Sequence, residues 1–238
     1  MRDRIVASGQ AGRMQPAEPD ADRTVVVVAG GSEPPASGVQ AALPTAPALV
    51  IAADSGLAHA KLLGLAVDLV VGDLDSVDAA ALERAVATGT RVERHPAAKD
   101  KTDLELALDV AVRDGGAGSR IVVVTSVGGR LDHGVANLLV LASPRYRDVR
   151  IDAFVDAWAV AVVRAGSRRL EARVGRLVTL LPVGGEAVGV TTSGLLYPLA
   201  DETLHVGSSR GVSNVAQAVA FTVTVREGTV LAIREWAD

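Results

Sequence analysis

From Thr24 to Phe154 the chain alternates short β-branched runs with stretches of helical periodicity. Such alternation is the pattern of a parallel sheet covered by helices. It predicts strands at Thr24–Ala29, Leu49–Ala52, Leu69–Val71, Arg91–Glu93, Ile121–Thr125 and Arg150–Phe154. Helices are expected at Gly56–Leu63, Asp78–Thr88, Thr102–Asp114 and Asp132–Leu141. The third carries its own start signal, because Thr102 and Glu105 form a T-x-x-E capping box and Leu104, Leu108 and Ala111 share one face. Beyond Phe154 the helical period vanishes. Strand-like runs at Ala159–Val163, Arg168–Ala172, Leu177–Leu181, Ala187–Thr191, Val219–Val225 and Val230–Ile233 are separated by Gly, Pro or charged turns. The expected fold class is an α/β N-terminal domain with a mostly parallel sheet, followed by a smaller all-β, sandwich-like C-terminal domain. The implied divisions are a mobile tail (1–23), an α/β unit (24–155) and a β unit (156–238).

Composition narrows the chemistry. Hydrophobic residues make up 49% of the 238 and aromatics only 3%, so Val, Ala and Leu must build the interior. Lys and Arg number 24 against 28 Asp and Glu, a net charge of -4, which leaves no basic surface to neutralise a run of nucleic-acid phosphates. No nucleic-acid partner is expected. Cysteine is absent, which excludes disulfides, thiolate metal sites and cysteine nucleophiles. The first 23 residues carry charges throughout and lack the apolar stretch of about 7–15 residues that marks a secretory signal. No apolar run approaches the ~18–20 residues that cross a bilayer. A soluble, cytoplasmic protein without a membrane partner is the expectation.

Carboxylates recur where the predicted parallel strands end. In Gly72-Asp73-Leu74-Asp75-Ser76 the two acids are spaced i and i+2, which points them the same way in an extended chain. A lone D-x-D is more often a turn whose second Asp caps the next helix. Asp54, in Ala53-Asp54-Ser55-Gly56, and the run Lys99-Asp100-Lys101-Thr102-Asp103 each have a comparable capping or solvated-surface reading. Capping accounts poorly for all three together, because a parallel sheet delivers successive strand ends to one edge, the edge where α/β folds bind ligands. Clustered carboxylates repel, and a hard divalent cation such as Mg²⁺, held with substrate phosphates, relieves the repulsion. The segment Gly128-Gly129-Arg130-Leu131-Asp132-His133 adds glycines that admit a phosphate and a guanidinium that can hold one. A tight strand-to-helix turn would need those glycines in any case. There is no G-x-x-x-x-G-K-[ST] loop, no well-formed G-x-G-x-x-G and no paired zinc spacing among His59, His95, His133 and His205.

In order along the chain these motifs resemble the thiamine pyrophosphokinases. The resemblance continues through Leu180-Leu181-Pro182, Thr191-Thr192-Ser193-Gly194-Leu195, Tyr197-Pro198-Leu199 and Ser209-Arg210-Gly211-Val212-Ser213-Asn214, and covers about Thr24 to Arg234. It implies a transferase that moves the pyrophosphoryl group of ATP to the hydroxyl of thiamine, giving thiamine diphosphate and AMP, with Mg²⁺ as cofactor. It also implies a homodimer whose active site is shared between subunits. Carried over by motif, Asp54, Asp73, Asp75 and Asp100 become metal ligands, with Asp73, Asp75, Asp100 and Arg130 catalytic. Asp103 joins the acidic site, Gly129, Asp132 and Asn137 fall on the nucleotide side, and Ser213 and Asn214 on the thiamine side. Ser55, Leu74 and Val215 depart from the family pattern, where glycine, phenylalanine and glutamate are more usual. Other readings of the same residues are a D-x-D nucleotide-sugar transferase, a pterin-alcohol diphosphokinase, and a silent thiamine or nucleotide sensor. The first leaves Asp100, Asp103 and Ser213-Asn214 unexplained, and a sensor for cationic thiamine needs no metal cage.

Overall fold

The structure, a computed structural model, describes residues 23–31, 36, 38–98, 100–127 and 130–236. The tail expected over 1–23 therefore lies, apart from Arg23, outside the described residues. The α/β part runs β1 (Thr24–Ala29), α1 (Val39–Ala42), β2 (Leu49–Ala53), α2 (Gly56–Leu62), β3 (Leu69–Gly72) and α3 (Ala79–Ala87). It continues with β4 (Arg91–Arg94), α4 (Asp103–Gly115), β5 (Arg120–Thr125), α5 (Leu131–Leu141) and β6 (Arg150–Val155). Strands alone follow: β7 (Trp158–Val163), β8 (Gly166–Glu171), β9 (Leu177–Pro182), β10 (Ala187–Ser193), β11 (Glu202–Leu204), β12 (Asn214–Val215), β13 (Ala220–Val225) and β14 (Val230–Glu235).

One ten-stranded sheet spans the molecule in the order β12-β9-β14-β7-β6-β5-β1-β2-β3-β4. Its β6-to-β4 portion is parallel, and β7 turns back antiparallel on β6 to begin the extension. The β region is thus no detached unit, since four of its strands continue the first sheet. The other four form a second sheet, β11-β10-β13-β8.

Side-chain alternation explains how one sheet serves several layers. All six residues of β1 are buried: Val25 and Val27 pack with Leu104, Leu108 and Ala111 of α4, while Val26 and Val28 face Val39 of α1 and Ala60 of α2. Along β7, Val160 and Val162 join the α4 core, whereas Ala161 and Val163 enter the sandwich with Leu180, Phe221 and Val223. Period-two alternation sends successive residues to opposite faces, so one strand closes two cores. Among the described residues no helix is long and apolar enough to cross a membrane.

Candidate active site

The acidic site is built by turns that leave the carboxyl ends of β2 and β3. Asp54 follows β2 at φ 48°, an uncommon backbone for a non-glycine residue, and its amide donates to the Val71 carbonyl at 2.9 Å. That bond locks the turn against β3. The Asp54 side chain is nearly buried; Oδ2 accepts from the Ser76 hydroxyl, and Oδ1 has no hydrogen-bond partner among the described residues. It does not cap α2, whose N-cap is Ser55.

After β3, Gly72 at φ 150° and Leu74 at φ 67° fold the chain tightly. A Cβ on Gly72 would lie 3.0 Å from Asp103 Oδ1 and 3.2 Å from Asp54 Cβ, so a side chain there would meet the carboxylates directly. One oxygen each of Asp54, Asp73 and Asp75 lies within 4.8 Å of the others. The Asp75 amide donates to Asp73 Oδ1 at 3.3 Å. Neighbouring Asp73 pushes the Asp75 carboxyl above its ordinary value, and burial, Asp54 and Asp103 add to the shift. The capping reading of Asp75 is displaced by Asp78, which starts α3 by accepting from the Ala81 amide at 2.8 Å.

Asp103 stands in the first turn of α4, where Thr102 Oγ1 accepts from the Glu105 amide at 3.2 Å, as the capping box predicts. Lys101 is held 2.5 Å from Asp109 Oδ2. Asp100 is exposed and outside the Asp54–Asp73–Asp75 group.

A cleft of about 390 Å³ runs from Asp54 past Gly30, Thr102 and Ser126 to Arg130 and Asn137. Ser126 Oγ, like Asp54 Oδ1, is buried without a partner among the described residues. Arg130 forms a two-pronged ion pair with Asp132, Nε to Oδ1 at 2.9 Å and Nη2 to Oδ2 at 2.6 Å. The pairing holds the Asp132 carboxyl well below its ordinary value. Gly128 and Gly129 lie outside the described residues. Gly30, Ser76 and Ser126 are site residues the sequence reading did not single out. Gly30 had a usable signal, since it directly follows the apolar run Val25–Ala29; an added Cβ would fall 1.9 Å from Ser55 Oγ.

Ser213 and Asn214 stand apart from this cleft. Ser213 is exposed at φ 59°. Asn214 is buried and faces inward: Oδ1 accepts from the Tyr197 amide at 3.0 Å, and Nδ2 donates to the Tyr197 carbonyl at 2.7 Å. β12 ends the large sheet, eight strand positions from β3. At about 4.8 Å per strand that is roughly 40 Å along the sheet.

Two family models match, in the same order as the two structural halves. Residues 42–153 match the catalytic domain of thiamin pyrophosphokinase, and residues 168–230 match its vitamin B1 binding domain. The chain belongs to the thiamin pyrophosphokinase family. Thiamine pyrophosphokinase 1 of Arabidopsis thaliana is 28% identical over 165 residues, 66% of this chain and 61% of that protein. The chain thus aligns with less than two thirds of the plant protein's length. Thiamine pyrophosphokinase of Bacillus subtilis is 26% identical over 164 residues, 68% of this chain and 76% of the relative. A crystal structure of the B. subtilis family member superposes with a TM-score of 0.77 at 25% identity, covering 90% of this chain and 100% of the other. The yeast structure, at 12% identity and a TM-score of 0.69, shares the fold.

Proposed function

We propose that the chain transfers the pyrophosphoryl group of ATP to the hydroxyethyl oxygen of thiamine, giving thiamine diphosphate and AMP. The observation that carries the reading is the convergence of Asp54, Asp73 and Asp75, the first of which lines a cleft that also holds Arg130 and Asn137. The donor set fits Mg²⁺: it is all oxygen, its charges repel in the protein alone, and Asp54 Oδ1 is buried without a partner. Asp54, Asp73 and Asp75 would hold the ion, which when bound neutralises charge on the transferred phosphates.

Attack falls on the β-phosphorus. The thiamine oxygen forms a bond to it, the bond from that phosphorus to the α,β-bridging oxygen breaks, and the electron pair leaves on AMP. Arg130 exchanges Asp132 for a phosphate, an exchange open to it because both side chains are exposed. Asn137 orients the nucleotide, and Asp100, outside the ion-binding group, accepts the hydroxyl proton. Alignment and charge neutralisation supply most of the acceleration in this class of transfer.

The roughly 40 Å between β12 and β3 supports a homodimer, because Ser213 of one chain cannot serve that chain's own acidic cluster. Helix α5, whose Asn137 lines the cleft, exposes Leu131 (74%), Val135 (49%) and Leu139 (54%) at i, i+4 and i+8. An apolar stripe beside a cleft suits a second copy. Purified chain with Mg-ATP and thiamine, resolved by chromatography, should yield AMP and thiamine diphosphate in equal amounts. ADP with thiamine monophosphate, or ATP hydrolysis independent of thiamine, would refute the proposal.

A further inference from the structure

A second, larger concavity of about 830 Å³ shares no lining residue with the acidic cleft. It opens over β5 and β6, between α1 and the second sheet. On that face β1 presents Val26 and Val28, and β5 continues with Val122 and Val124, but the amino ends of β5 and β6 present Arg120, Arg150 and Asp152. Charged residues therefore floor the groove where the helix layer stops.

Its lining reverses the sign of the molecule. Arg120, Arg150, Arg169, Arg173 and Arg234 stand against two carboxylates, Asp152 and Glu171, in a chain of net charge -4. Asp152 is already engaged, by Arg168 Nη2 at 2.6 Å and Arg120 Nε at 2.9 Å. Arg150 Nε also stands 3.5 Å from Asp152 Oδ2, whereas two nitrogens of Arg234 are left unsatisfied among the described residues. Its Nε and Nη1 are buried and have no acceptor among the described residues, although the side chain lines the groove. Burial lowers its pKa, partly offset by Asp152, and an arriving anion would reverse that penalty. The groove also has an aromatic wall, where Trp236 meets Phe154 edge to face with ring centroids 5.2 Å apart. The volume falls within the ~300–1,000 Å³ of small-molecule pockets, and a planar guanidinium fork is the side chain best matched to a phosphoryl group.

We propose that this groove binds a small aromatic phosphate, its phosphoryl group held by Arg234 and Arg169 and its ring placed against Trp236. Binding here needs no divalent ion and is independent of the transfer reaction. The chain has two tryptophans, so Trp158→Phe leaves Trp236 as the sole reporter. The full-length variant is titrated in EDTA with phenyl phosphate and, separately, with inorganic phosphate. Phenyl phosphate should change the Trp236 emission saturably and bind at least tenfold tighter than inorganic phosphate. Arg234→Gln and Arg169→Gln should each weaken it about tenfold, while Asp73→Asn leaves it unchanged. Arg169 is exposed, so its variant decides the matter even where Arg234→Gln fails to fold. A non-saturating response, equal affinity in the Arg169 variant, no preference for the aromatic phosphate, or loss with Asp73→Asn would overturn the proposal.

Discussion

Replacing Asp73 by Asn should make the metal-free protein more stable and the Mg²⁺-supplemented protein less stable than the wild type. The carboxylate oxygens of Asp54 and Asp73 lie within 4.8 Å of one another. Two unit charges at that separation repel by about 3.5 kcal/mol at an effective dielectric of 20. Asp73 is only half-buried, so screening reduces the gain from neutralising it to roughly 1 kcal/mol. Asn keeps the Oδ1 that accepts from the Asp75 amide, so the turn is preserved. For a chain of this size the gain corresponds to a melting temperature about 2–4 °C higher in EDTA. Mg²⁺ at about twentyfold over its Kd would stabilise the wild type by ~1.8 kcal/mol, or about 4–7 °C, and leave the variant nearly unmoved. Calorimetric melts of both proteins, with EDTA and with Mg²⁺, should therefore cross. A variant less stable than wild type in EDTA, or an equal Mg²⁺ shift in both, would refute the reasoning.

Asp152 supplies a prediction of pH dependence. Burial opposes its charge, yet Arg168, Arg120 and Arg150 outweigh burial and hold its carboxyl below 3.8. A depressed folded value contributes stability that is complete above the unfolded value and lost as pH falls through the folded one. Asp152→Asn should cost about 3–5 kcal/mol at pH 7 by leaving Arg168 and the half-buried Arg120 and Arg150 uncompensated, and much less at pH 2, as urea midpoints will read. Gly72→Ala, strained at φ 150° and crowding Asp103, should lose about 1–3 kcal/mol and at least tenfold in activity, measured by denaturation and turnover. Mixing Asp73→Asn and Ser213→Tyr chains, each expected to be inactive alone, under subunit exchange should restore about a quarter of wild-type activity, since half the dimers are mixed and each has one intact site. No restoration despite demonstrated exchange would exclude a shared site.

The central strands β1, β2, β3 and β5 were legible because burial on both faces writes a continuous apolar run. Thr24–Ala29 matches β1 end for end, and Leu49, Leu69, Arg91 and Arg150 each begin the strand expected there. Two short strands carry no such pattern: Glu202–Leu204 has only one buried residue and Asn214–Val215 is too short for a period. The four-residue helix Val39–Ala42 likewise lies below the length at which a 3.6-residue repeat is visible. Sheet membership was not legible at all. Alternation in Ala159–Val163 shows that a strand has two apolar faces, but the register Asp152↔Ala161 that joins it to the first sheet depends on contacts distant in sequence. In the site, strand-end spacing was enough to bring Asp54, Asp73 and Asp75 together. It could not show that Asp100 stands outside that group or that Asp103 approaches Gly72, because both depend on where α4 begins to turn.

The most direct test of the central claim follows the β-phosphorus. With ATP labelled by ³²P at the β position, plus Mg²⁺ and thiamine, the account predicts that the label moves wholly into thiamine diphosphate while AMP forms unlabelled. Label retained in ADP, or released as free pyrophosphate with no labelled thiamine ester, would contradict it.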